Sequence, residues 1–393
     1  MNRRTFLEQL LSSAAGATAW LAAPAAARAV GPSQDVGPVV YVGTYTTDAR
    51  REGVYRYRMD PRTGDWRALG AADVGPNPSF LALRPDGRVL YAVNEVERYE
   101  GAPSGAVGAF RVDPGSGDLT LIDRRASRGG APCYVSVDRA GRFAMVANYA
   151  GGDVALFPLG VDGALGDAAR VEQQRGTGPR ADRQEKAHAH SIVPDPSGRF
   201  ALSADLGADR IYVYALDGAA GPLAPAAVPE VAVRSGAGPR HIAFGRSGRV
   251  VYVTDELAVA VDAFRFDPAT GALAPLQTVS LAEGAGPSAG STAADLHLAP
   301  SGRFLYASVR GDDTLVVFAV DQGTGRLTFV ERVSSGGRWP RNFGLDPSGR
   351  FLYAANQRSD SVVGFRVDPA TGRLTPSGVR VEVPAPVCVR FAG

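Results

Sequence analysis

One turn motif recurs along this chain, and its spacing leaves few folds open. Asp-Pro-x-Thr/Ser-Gly-x-Leu, with Trp at the last place in its first copy, runs from Asp60 to Trp66, Asp113 to Leu119, Asp267 to Leu273 and Asp368 to Leu374. Looser copies start at Asp162, Asp217 and Asp321, and the seven Asp positions lie 53, 49, 55, 50, 54 and 47 residues apart. A second signature, Gly-Arg before an apolar run, tracks the first at Gly87, Gly141, Gly198, Gly248, Gly302 and Gly349. Between these marks stand short apolar segments of strand length, such as 303–309, 314–319 and 327–333, with turn residues between them. Pro presets one φ of the turn and Gly tolerates the other, as a tight hairpin requires. Seven units of about fifty residues, four strands each, imply an all-β, seven-bladed β-propeller.

The ends of the chain imply how the ring shuts. The first unit opens at Val39–Thr44, which matches a second strand, while residues 385–391 match an isolated first strand. The C-terminal strand is therefore expected to complete the first blade, leaving no open sheet edge. In this reading residues 38–393 are the propeller and 30–37 a linker. Residues 1–29 are a twin-arginine-type export signal: Arg3-Arg4, an Ala/Leu-rich stretch, then Ala27-Arg28-Ala29 as a small-x-small cleavage site. An uncleaved anchor is the competing reading. The expected product is a periplasmic monomer, free of the membrane once the signal is removed.

Charge narrows the partners. The sequence holds 42 Lys+Arg and 40 Asp+Glu, and without residues 1–29 the balance is 39 to 39. With no basic block, nothing marks a nucleic-acid or anionic-membrane binder. Lys186 is the sole lysine, which disfavours Schiff-base chemistry. Cys133 and Cys388, the only cysteines, are placed on blades three and one, too far apart to bond.

Equivalent repeat positions form rings around the channel of a propeller. Eight residues before each Gly-Arg glycine stand Ser79, Cys133, His190, Arg240, Ala294 and Arg341, with Val387 by alignment. Eight residues after it stand Glu95, Tyr149, Leu206, Glu256, Arg310 and Gln357, with Tyr45 in the first unit. A packing column of Leu81, Val135, Ile192, Ile242, Leu296, Phe343 and Val389 is apolar throughout, which checks the register. The rings are not uniform, and unlike charges converging on one rim point to an anionic, oxygen-rich small molecule. The competing account is a solvated ion-pair rim, in which Glu256→Gln costs about 1 kcal/mol or less. The column Asn94, Asn148, Asp205, Asp255 and Asn356 reads as local strand-end bonding rather than a calcium cage.

Three further motifs bear on the chemistry. His188-Ala-His190 lacks an evident third metal ligand, so no metal and no cofactor is expected. Gly286-Pro-Ser-Ala-Gly290 mimics a nucleophile elbow but lies in a loop with no strand and helix around it. The polar connection 175–190 delivers the chain to His190 and is a candidate cover for the site.

Arg183-Gln-Glu…His188-Ala-His190, Gly236-Ala-Gly-Pro-Arg-His241, Asp255-Glu256-Leu257, Ala294-Asp-Leu-His297, Arg310-Gly-Asp-Asp-Thr314 and Trp339-Pro-Arg-Asn342 occur in this order. In them the chain resembles, over residues 38–393, the lactonase-type seven-bladed propellers. That family includes 6-phosphogluconolactonase and carboxy-muconate lactonising enzymes. The resemblance implies catalytic roles for His190, Arg240, Glu256 and Arg310. Arg341, Glu95 and Gln357 from the rings, with His188 and His241 beside them in sequence, are the substrate-binding candidates. The leading expectation is metal-independent hydrolysis of a sugar-type, anionic lactone. The two Arg would stabilise an oxyanion, and either Glu256 or His190 would activate water. A lactonising cycloisomerase and a non-enzymatic binding propeller are the alternatives.

Overall fold

Seven four-stranded antiparallel sheets stand around a central channel in a computed structural model that describes residues 37–46, 52–219, 221–283 and 286–392. The expected signal lies outside these residues, as does the linker apart from Gly37. No helix among the described residues is long and apolar enough to cross a membrane. Among the described residues a single 3-10 turn, Gln357–Ser359, interrupts the strands.

Blade 1 is built from both ends of the chain. Pro386–Ala392 is its innermost strand and pairs with Val39–Thr44, bringing Val42 opposite Val389. Val54–Met59 and Trp66–Ala72 complete the sheet. The other blades run outward in chain order, from innermost strands Leu81–Leu83, Pro132–Val137, Ala189–Pro194, Pro239–Phe244, Thr292–Leu298 and Pro340–Leu345. The apolar packing column is buried in all seven blades, from Leu81 at 0% exposure to Ile242 at 5%.

The repeated turn explains how neighbouring blades lock. Five second strands carry a buried tyrosine, Tyr41, Tyr91, Tyr252, Tyr306 or Tyr353. Each hydroxyl donates to a turn-glycine carbonyl of the next blade, at Gly117, Gly163, Gly325, Gly372 and Gly64 respectively, over 2.6–2.9 Å. A buried hydroxyl without a partner is costly, so each bond ties hairpin to neighbour. Gly64 has φ of 84°, and a Cβ there would lie 2.5 Å from the Phe351 ring of blade 7. The turn therefore needs glycine for conformation and for close approach together. Blades 3 and 4 have Met145 and Leu202 at the tyrosine position and pack without the bond.

The innermost strands carry a feature the repeat spacing does not announce. In six blades this strand holds one more residue than its partner: the register slips around Cys133, His190, Arg240–His241, Ala294–Asp295, Arg341 and Val387. Such a bulge breaks the alternation of side chains and re-aims the extra residue. A proline opens the strand in four blades and stands three residues before it in a fifth, at Pro78, and the residue before each proline has positive φ: Asn77, Ala131, Gly238, Trp339 and Ala385. The carbonyls of these five accept the N–H of Glu95, Tyr149, Glu256, Gln357 and Tyr45. One short device thus fixes both rings against each other.

The closing strand is well packed, with Val387, Cys388 and Val389 all at most 2% exposed. Deleting residues 384–393 should abolish the cooperative unfolding transition or yield an aggregating open edge, read by thermal melting and sedimentation. A soluble truncation that melts like the full chain would refute closure by this strand.

Candidate functional site

At the channel mouth the two rings enclose a cavity of about 380 Å³, within the size range of small-molecule sites. Its walls include Glu95, His190, Glu256, Arg310 and Arg341 from the expected rings, together with Cys133 and Tyr149. Four of the named candidates do not reach it: Arg240, His188, His241 and Gln357 are absent from the lining. His188 stacks on Tyr149 at 4.5 Å and spends its ring nitrogens on the Tyr149 carbonyl and Glu185. The bulge at His190 separates the two histidines, so i and i+2 do not share a face here. Gln357 starts the 3-10 turn.

Glu256 is the centre of the charge distribution. Its Oε1 accepts from Arg183 Nη2 at 2.7 Å, and its Oε2 accepts from Arg240 Nε at 2.9 Å. Arg310 Nη2 also lies 2.9 Å from Oε2, and His190 Nε2 is 3.9 Å away. These groups are not a wet rim. Glu256 and Arg240 are each 2% exposed and Arg310 is 5%. Burial alone would push the Glu256 carboxyl up, but the Arg310, Arg240 and Arg183 cations together hold it well below the usual range. His190 moves down as well. Burial and the neighbouring Arg240 cation outweigh Glu256, so the imidazole is neutral at pH 7. Its Nδ1 faces the Cys133 thiol at 3.7 Å, a thiol that burial keeps protonated.

Arg240 stands behind Glu256, not in front of it. Its Nη1 donates to the Ala294 carbonyl at 2.8 Å and meets His241 Nε2 at 3.0 Å. Across the cavity, both Glu95 oxygens accept from the Tyr45 hydroxyl at 3.0 and 2.9 Å. The Arg341 guanidinium lies 5.5 Å from the Tyr45 ring centroid and makes no hydrogen bond or ion pair among the described residues.

Four wall residues lay outside the ring counts: Arg183, Gly290, Thr292 and Trp339. Arg183 comes from the long polar connection, which Gln184 anchors by donating to Leu206 O and Asp209 Oδ1 at 2.8 and 2.7 Å. The loop thus contributes a side chain to the site, which its position before His190 hinted at without naming the residue. Trp339 also lines the cavity, with φ of 64° and its N–H on Asp313 Oδ1 at 2.7 Å. A left-handed tryptophan beside a cavity marks backbone strain at a site. The strand-end column is tied mostly to the chain about twenty residues earlier rather than to its own turn: Asn94 donates to Val74 O, Asn148 to Ser127 O and Asn356 to Ser335 O, while Asp205 does accept locally from Ala208 N. Among the described residues no three His, Cys, Asp or Glu side chains group as metal ligands. Both cysteines are free and buried.

The model of the family described as "Lactonase, 7-bladed beta-propeller" matches residues 39–391. The chain belongs to this lactonase family. It is 39% identical to 6-phosphogluconolactonase of Bacillus subtilis, over 89% of this chain and 97% of that one. The 6-phosphogluconolactonase of Formosa agariphila is 32% identical over 77% of this chain and 85% of its own. Among solved structures, the periplasmic gluconolactonase of Pseudomonas aeruginosa superposes with a TM-score of 0.82. It is 38% identical and covers 91% of this chain and 99% of its own. For this lactonase relative the fold and the all-β architecture are therefore those the repeats implied.

The buried setting reverses the stability forecast made for a wet rim. Glu256→Gln leaves Arg240 and Arg310 without their counter-charge and should cost about 3–5 kcal/mol, measured by urea unfolding. Arg183→Met, on the outer loop, should cost about 1 kcal/mol or less. A Glu256→Gln protein within about 1 kcal/mol of wild type would show that solvent screens the cluster.

Proposed function

We propose that this lactonase-family chain hydrolyses a sugar-type lactone without a metal, with His190 as the base. The observation that carries the reading is the pairing at the cavity wall of a neutral imidazole with a carboxylate fully engaged by guanidinium groups. A carboxylate that accepts from Arg183 and Arg240 and is ion-paired with Arg310, its pKa driven down, is a poor proton acceptor. Neutral His190 keeps a lone pair at neutral pH. The imidazolium formed when it accepts a proton would face Glu256 at 3.9 Å, which stabilises it as the reaction proceeds.

In this scheme His190 takes a proton from water as the oxygen attacks the lactone carbonyl. The carbonyl electron pair moves to oxygen, and Arg310 or Arg183 at the wall stabilises that oxyanion. Collapse breaks the ring C–O bond, and the imidazolium returns its proton to the leaving alkoxide, giving a hydroxy acid. Arg341, with its guanidinium unspent, would hold an anionic substituent, and Glu95 would accept from sugar hydroxyls. The cluster disfavours a catalytic cation, because a metal at Glu256 would meet three guanidinium charges already there. Export is part of the proposal: the twin-arginine pattern of residues 1–29 and the periplasmic relative in Pseudomonas aeruginosa both favour it. Amino-terminal sequencing of protein released from the periplasm should begin near residue 30.

The test is proton release from gluconolactone and 6-phosphogluconolactone, corrected for spontaneous opening. Turnover should survive a chelator, and His190→Ala should lower kcat about a hundredfold or more with unchanged melting. Arg341→Met should mainly raise KM. Because His190 is held below its ordinary pKa, kcat/KM should stay level from about pH 8 down to pH 6.5 and fall only in more acid solution. Wild-type rates in His190→Ala, or loss of turnover with chelator, would contradict the scheme.

A further inference from the structure

Behind the cavity, the column between ring and packing positions reads Phe80, Tyr134, Ser191, His241, Asp295, Asn342 and Cys388. His241, Asp295 and Asn342 sit on the bulged innermost strands of three consecutive blades, all buried. Asp295 is 2% exposed and collects donors from all sides. Its Oδ1 accepts from His241 Nδ1 at 2.6 Å and from Leu296 N at 3.0 Å. Its Oδ2 accepts from His297 Nε2 at 2.8 Å, from Phe343 N at 3.3 Å and from Asn342 Nδ2. Asn342 in turn accepts the Val389 N–H of the closing strand at 2.7 Å.

The tautomer of His241 follows from its partners. Arg240 Nη1, 3.0 Å from His241 Nε2, can only donate. Nε2 must then be the bare acceptor, and the ring proton sits on Nδ1, facing Asp295. From this geometry we propose that Asp295 is a positioning residue for the reaction: it fixes the His241 tautomer that accepts from Arg240, and so aims Arg240 Nε at Glu256. The chain Asp295–His241–Arg240–Glu256 spans blades 6 and 5. Phe80 and Tyr134 wall it in, with ring centroids 5.7 and 5.2 Å from His241. The imidazole therefore has no room to turn its nitrogens elsewhere. Asn342 extends the same chain to the strand that shuts the ring.

Asp295→Asn separates this role from a structural one. The Oδ2 side meets three donors, so the new carbonyl oxygen settles there and the NH₂ group faces His241. His241 must then accept on Nδ1 and carry its proton on Nε2, pointing one donor at another. Nitrogen NMR of His241 should show the Nδ1–H tautomer in wild type and the Nε2–H tautomer in D295N. This readout is independent of the lactonase reading, on which only the kinetic arm rests. In that arm D295N should lower kcat about a hundredfold while KM stays within about threefold. His241→Gln supplies an amide oxygen to Arg240 whatever stands at 295, so adding D295N to H241Q should cost nothing further. H241Q should also exceed His241→Leu in kcat by about tenfold or more, since leucine cannot accept. An Nε2–H tautomer in wild type would overturn the proposal, and so would equal losses from D295N in both backgrounds. Should D295N fail to fold, the wild-type tautomer and the Gln-against-Leu comparison decide. If wild type turns over no lactone, the lactonase reading fails and the tautomer still decides the positioning claim.

Discussion

The extra residue on the innermost strands is the constraint on which this molecule depends. A regular strand at the channel would alternate, sending every second side chain into the blade interfaces. One added residue in six blades breaks that alternation at the same height around the ring. The residues so turned include Cys133, His190 and Arg341 at the cavity and His241 and Asp295 beneath it. The apolar column stays in the interfaces, so the site is gained without loss of packing. Proline at the strand start fits the same design, since its missing N–H is not needed there.

That geometry forces charges together in a dry place, and Glu256 resolves the conflict. Arg240 and Arg310 would each be costly to bury alone, and so would the carboxylate. Placed 2.9 Å from one oxygen, they neutralise one another while Arg183 closes the other oxygen from the outer loop. The arrangement leaves no freedom for the carboxylate to trade protons. In the proposed scheme the chemistry then falls to His190, whose imidazole burial and Arg240 keep neutral at the wall. A buried ion cluster of this kind stabilises little by net energy, but it fixes orientation, which a hydrolytic site needs more.

The architecture was legible because it repeats. Turn spacing of about fifty residues, the uniform packing column and the unmatched strand at 385–391 all carry the same message, and local and global preferences agree. His190, Glu256, Arg310, Arg341 and Glu95 were legible as departures from repetition. Counting columns does not reveal depth, which is why a solvated rim stood as the competing account for the quartet and Arg240 read as a residue facing substrate. Column counts also treat strands as regular, so the bulge that separates His188 from His190 was invisible. Arg183 escaped because it lies in a connection with no counterpart in other blades. Asp295 did carry a signal, as the same non-uniformity one column further on.

The account turns on which group near the cavity is ionised. Glu256 is held as a carboxylate by three guanidinium groups, while burial and Arg240 keep His190 neutral. A site-resolved NMR titration that follows the Glu256 carboxyl carbon and the His190 ring nitrogens tests this directly. The account predicts that Glu256 stays ionised to below its ordinary pKa of about 4.3 and that His190 is still neutral at its ordinary midpoint of about 6.5. A Glu256 carboxyl that takes up its proton above that range, or a His190 already protonated at pH 7, would contradict it.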